Sequence, residues 1–125
     1  MRDHRKLKVF QEADELALDV YQITAHFPKE ELFGLTSQMR RASVSIVSNI
    51  VEGCARQTLS DYLHFLDMAF ASARELAYQC SLAFRLKYMS KECGQNLEYK
   101  CEEVCKMLCG LTRSLRAKKN SGEFV

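Results

Sequence analysis

The sequence predicts an all-α fold, an antiparallel up-down-up-down four-helix bundle, and three observations carry that prediction. Apolar residues recur at spacings of three and four along four successive stretches, the period of a helix with a buried face. The chain has one proline and five glycines, too few to punctuate the many turns of a sandwich or barrel. Its 125 residues, 47% of them hydrophobic, can bury one core and fit a single bundle domain over residues 1–119.

The first helix is expected over about residues 7–27, where Leu7, Phe10, Ala13, Ala17, Val20, Tyr21 and Phe27 make one stripe. Pro28 then removes a backbone donor and disfavours helical geometry at Phe27. The second helix is expected over 36–53, capped by Thr36 with Leu35 as a hydrophobic staple and stopped by Gly53. It carries two stripes, Met39, Ala42, Ile46 and Ile50, then Val44, Val47 and Val51, and a helix apolar on two faces needs two partners.

Thr58 to Asp61 resembles a capping box and opens the third helix, expected over 59–88. Ser90 can cap the fourth, over 91–117, whose stripe is Leu97, Cys101, Val104, Cys105, Leu108, Leu111 and Leu115. Short links between amphipathic segments imply antiparallel neighbours. Residues 120–125 have turn-type residues and no stripe, and are expected to form a mobile tail.

No apolar run approaches a membrane span, and the polar N-terminus lacks the apolar region of a signal peptide. With six cysteines, no export signal and a large potential core, the expectation is a cytoplasmic protein with reduced thiols. Cys101, Cys105 and Cys109 recur every four residues, with Cys93 upstream, and thiolates so spaced can share a soft metal. The pattern lacks any CxxC, and core packing accounts for it, so no metal and no cofactor are expected.

Catalytic patterns are missing as well. No Arg and His stand at the spacing of helical RNA-cleaving nucleases, and none of His4, His26 and His64 has a glutamate three residues before it, as a di-iron bundle requires. The expectation is a protein that is not an enzyme. Tyr62, Phe65, Phe70, Tyr78, Phe84 and Tyr88 along the third helix suit either core packing or the stacking of bases.

The formal net charge is only +2, but its distribution is uneven. Arg2, Arg5, Lys6 and Lys8 start the chain, Arg113, Arg116, Lys118 and Lys119 end the fourth helix, and Arg56 lies between the second and third. In an up-down-up-down bundle all nine fall at one pole. A basic pole can hold RNA or DNA through phosphates without reading sequence. The same cations also complement the dipole at the end of the fourth helix and favour solubility.

The stretch 34–53, GLTSQMRRASVSIVSNIVEG, resembles the signature of the bacterial four-helix bundle proteins, also called 23S rRNA-intervening-sequence proteins. LKVF at 7–10, FPKE at 27–30 and DYLHFL at 61–66 are similar to that family's flanking segments; Val47 departs from its usual proline and Val51 from its usual alanine. The resemblance implies a homo-oligomer, a ring-like pentamer in known relatives. It also implies distant kinship with the accessory variability proteins of diversity-generating retroelements, which bind nucleic acid and a reverse transcriptase. An accessory role to a reverse transcriptase or an rRNA-associated element follows from that likeness, with a structural or protein-interaction oligomer as the alternative. Within the signature, Arg40, Arg41, Asn49 and Glu52 are the polar members. Asn49 and Glu52 are expected to form hydrogen bonds or ion pairs where helices or subunits meet, because a buried polar group must be paired.

Overall fold

The computed structural model describes residues 2–122. Four α-helices, α1 (Lys8–Thr24), α2 (Leu35–Cys54), α3 (Leu59–Arg85) and α4 (Lys91–Asn120), are joined by short links, with 3₁₀ turns at His4–Lys6 and Lys29–Glu31. Each helix packs on its two neighbours, α1 on α2 and α4, and α3 on α2 and α4, while the diagonal pairs do not meet. This is the square of an antiparallel four-helix bundle. Leu16, Val20, Met39, Ile46, Ile50, Leu66, Leu76, Leu97 and Leu108 fill its centre with no exposure.

The helix ends depart from the sequence expectation where tertiary contacts overrule local signals. Helix α1 stops at Thr24 rather than Phe27, and the next residues tighten into a turn in which His26 N–H donates to Ile23 O and Phe27 N–H to Thr24 O. Phe27 thereby folds back into the core, 5.4 Å from the Tyr88 ring. Helix α2 begins at Leu35, so Thr36 is a buried helical residue and not the cap. Glu31 does that work: its Oε1 accepts from Leu35 N–H (3.0 Å) while its Oε2 accepts from Tyr88 O–H (2.7 Å). A side chain at Gly34 would place its Cβ 2.6 Å from that Oε1.

These bonds, first the Leu35 amide and then the Tyr88 hydroxyl, hold the Glu31 carboxyl below its ordinary range. A carboxylate with a depressed folded-state pKa adds stability above its unfolded pKa and loses it as pH falls through the folded value. Glu31→Gln is therefore expected to melt below the wild type at neutral pH, with the gap closing under acid. A gap that stays constant in thermal melts down to strongly acidic pH would contradict this role.

Helix α2 also runs past Gly53 to Cys54, so that glycine is not a stop. It is buried, and a Cβ there would meet Phe65 Cβ at 3.0 Å and Tyr62 Cδ1 at 3.2 Å. Its bare backbone lets the start of α3 close onto the end of α2. Helix α3 ends at Arg85, three residues before Tyr88. Lys87 adopts φ 66°, with Lys87 N–H donating to Phe84 O and Tyr88 N–H to Ala83 O, a Schellman turn built without its usual glycine.

Thr58 and Ser90 cap α3 and α4 as expected, accepting from Asp61 N–H and Cys93 N–H at 3.1 Å each. Helix α4 extends to Asn120, beyond residue 117, and Gly122 at φ 80° closes it. Of the expected tail, Asn120 is thus helical and residues 121–122 form a turn, while 123–125 lie outside the described residues. Two seams carry ion pairs, Lys100 of α4 with Asp19 and Glu15 of α1, and Arg74 of α3 with Glu102 of α4. Gln79 Oε1 is buried with no partner among the described residues; nothing in the structure explains it.

The second apolar stripe of α2 divides. Val47 packs against the core and Val51 is half-buried, leaving Val44 as its exposed member at 43%. It shares a shallow depression with Tyr21 of α1, itself 45% exposed. Leu18, one turn before Tyr21, is 60% exposed.

Candidate nucleic-acid interface

The basic residues meet where the chain's start, the α2–α3 junction and the end of α4 come together. Arg2 N–H donates to Cys54 O at the last turn of α2 (3.1 Å), and Arg2 Nη1 to Arg56 O (3.4 Å). The Arg2 guanidinium lies over the Tyr62 ring, 4.1 Å from its centre, and that of Arg56 over Phe65 at 4.6 Å. From the other side, Lys119 Nζ donates to Ser60 Oγ at 2.6 Å, and Arg116 pairs with Asp67. Lys6 closes the 3₁₀ turn that leads into Lys8, the first residue of α1, and both are exposed. Arg113 lies nearly two turns before the end of α4, its Nη2 3.6 Å from Cys109 Sγ. Lys118 is exposed in the last turn of the same helix.

Charge at this pole is partly cancelled. Asp3 accepts from Arg5 Nε at 3.0 Å and caps the 3₁₀ turn through Arg5 N–H, so Arg5 is held by its neighbour's carboxylate. Asp67 does the same for Arg116. Such exposed pairs are weak and screened by salt, so a phosphate can compete for either cation. The side chain of Arg56 makes no hydrogen bond or ion pair among the described residues.

Tyr62 is the fixed point of the cluster. It is 2% exposed, and burial, with the neighbouring Cys54 thiol, pushes its phenol up. The six aromatics expected along the third helix divide by position: Tyr62 is core, Phe65 and Phe70 are half-buried on α3, Tyr78 and Phe84 are exposed at 61% and 41%, and Tyr88 lies half-buried beyond the end of α3.

The signature residues lie elsewhere. Arg40 Nε donates to Thr24 Oγ1 (2.9 Å) and its Nη2 to Tyr21 O (3.3 Å), with the guanidinium over the Tyr21 ring. It adds a charged donor from α2 at the carbonyl end of α1, on a Tyr21 oxygen that also accepts from Ala25 N–H. Asn49 Nδ2 donates to Ser45 O and Oγ, and Ser45 Oγ meets Ser72 Oγ of α3 at 2.9 Å. Asn49 thus reaches the helix interface through Ser45 and not directly. Arg41 and Glu52 are exposed and make no hydrogen bond or ion pair among the described residues, so the helix-contact form of the pairing expected of Glu52 is not found among them.

The α4 cysteines diverge from the shared-ligand pattern. Cys101 and Cys105 are buried, Cys93 and Cys109 half-buried, and the close thiol pair is Cys101 with Cys80 of α3 at 3.8 Å. Sharing a hydrogen with Cys80, and then burial, push the Cys101 thiol up, away from the thiolate a metal requires. Among the described residues no three His, Cys, Asp or Glu side chains are grouped to hold a metal ion. None of their helices is long and apolar enough to cross a membrane.

Spacing within α4 made the cysteine ladder visible, but the cross-helix pair with Cys80 has no signal in the sequence. Glu31 as a cap was equally hidden, standing four residues before the helix it serves and outside the usual capping positions.

Residues 5–110 match the 23S rRNA-intervening sequence protein family. The chain belongs to that family. No curated protein matches it. A crystal structure of a protein of unknown function from the S23 ribosomal protein family of Bacteroides thetaiotaomicron is similar to it, with TM-score 0.78 and 24% identity over 84% of this chain and 95% of that one. At this identity the likeness establishes a shared bundle fold. Within the 23S rRNA-intervening sequence family, the matched span takes in Arg5, Lys6, Lys8 and Arg56 and stops before Arg113, Arg116, Lys118 and Lys119. The cations at the end of α4 therefore belong to this chain's own sequence beyond the family match.

Proposed function

We propose that this chain is a non-enzymatic, oligomeric nucleic-acid-binding protein that holds RNA or DNA by its phosphates at the basic pole. The observation that supports this reading is the convergence of Arg2, Arg56, Arg116 and Lys119 on the start of α3, from three separate segments of the chain. Family membership points toward an rRNA-associated setting. Exposed Leu18, Tyr21 and Val44 give a strip on α1 and α2 through which copies of the chain associate. Poles placed side by side in such an assembly, a pentamer by family likeness, form one cationic rim.

A second reading, a structural or protein-interaction oligomer, rests on that same apolar strip alone. Light scattering of the purified protein, with and without RNA across a salt series, separates the two. The first reading expects an oligomer that gains mass on RNA at low salt and releases it as salt rises. An oligomer that ignores nucleic acid at every salt concentration leaves the second. A monomer that binds nothing defeats both.

A further inference from the structure

We propose that the pole prefers single-stranded nucleic acid, stacking an unpaired base on the Arg56–Phe65 pair; this rests on the nucleic-acid reading above. Phe65 is anchored on its inner side, where its Cβ packs against the bare backbone of Gly53. Its ring is only half-buried, with the Arg56 guanidinium over it at 4.6 Å and the exposed His64 ring meeting it edge-on, centroids 5.8 Å apart at 72°. Arg2 bonds the Arg56 carbonyl and so ties down the backbone at the base of this stack.

A row of phosphates needs cations, but it has no use for a guanidinium laid on a half-buried aromatic ring. An unpaired base does: it stacks on arginine planes and aromatic faces whatever its identity, whereas the bases of a duplex are already stacked on each other. The Arg56 side chain has no ion pair or hydrogen bond among the described residues to hold it back. Lys119 reaches Ser60 in the first turn of α3 and Arg116 reaches Asp67 two turns along, and these two partners share a face of α3 with His64, the residue beside Phe65. Lys119 and Arg116 supply cations for the phosphates that flank a stacked nucleotide.

The test compares fluorescence anisotropy of labelled oligouridylate and oligothymidylate with that of a duplex of the same length, at low salt. The proteins are the wild type, Arg56→Lys and Phe65→Leu. Arg56→Lys keeps the charge and removes the planar face; Phe65→Leu keeps apolar bulk against Gly53 and removes the ring. Each variant is expected to weaken single-strand binding by at least roughly fivefold, the lower end for loss of one stacked base, with duplex binding unchanged. If the strand and duplex lose equally, or neither variant loses affinity, stacking is refuted while salt-dependent binding by the pole stands. If the wild type binds neither probe, the parent reading falls and this one with it. Should Phe65→Leu lose its helical circular dichroism, the exposed Arg56→Lys decides alone.

Discussion

Arg113→Glu combined with Lys119→Glu is expected to weaken RNA or DNA binding on the order of 10- to 100-fold at about 0.1 M salt. Each phosphate contact contributes about −0.9 to the slope of log K against log salt, so losing two should flatten that slope by about 1.8. Both side chains are exposed and neither holds an ion pair among the described residues, Lys119 donating to Ser60 and Arg113 approaching Cys109 Sγ. Their reversal should therefore lower the melting temperature only slightly, through the Lys119→Glu charge at the C-terminal end of the α4 dipole. Arg116 is the poorer choice, because a glutamate there would face Asp67 across the α3–α4 seam and confuse lost binding with lost stability. An unchanged salt slope in the double variant would show that the end of α4 does not touch phosphate.

This expectation began as a count of charges along the chain, and the count needed correction by geometry. Asp3 stands two residues from Arg5, so their pairing was within reach of the sequence. Asp67 stands 49 residues from Arg116, and only the packing of α3 on α4 brings them together. The direction of the asymmetry was legible because topology sends the start of α1 and the end of α4 to one pole. Its strength was not, because exposed ion pairs are decided by side-chain reach across helices.

The helices divide along the same line. Their number, order and core faces follow from spacings of three and four, which any buried face must impose. Thr58 and Ser90 were legible as caps because a cap bonds the chain within its own first turn. Other ends depend on distant residues: Glu31 caps α2 while held by Tyr88, and Arg40 of α2 covers the end of α1. Local propensity cannot announce a partner that the fold must first deliver. Asn49 and Glu52 show the converse, polar signature residues whose obvious role, pairing at an interface, is indirect in one and missing among the described residues in the other.

Gly53 makes the strongest case for an end set by packing, and Gly53→Val should expose it. In a free helix any replacement of glycine other than proline is favourable, by up to about 1 kcal/mol for alanine. Here the added Cβ would lie 3.0 Å from Phe65 Cβ, 3.2 Å from Tyr62 Cδ1 and 3.4 Å from the Tyr62 carbonyl oxygen. Two of those atoms are tied to the backbone of α3, and Tyr62 is buried beneath Arg2, so little can move aside. Valine adds two methyls to this contact, and overpacking of that kind costs about 1–3 kcal/mol, more than helix propensity returns. The variant is expected to melt several degrees lower, with Gly53→Ala between it and the wild type. Full stability in the valine variant would mean that α2 and α3 can part here without loss. Because Phe65 is the first atom group struck, the same substitution should disturb the Arg56–Phe65 pair and weaken single-strand binding more than duplex binding, linking the close helix crossing to the surface that it supports.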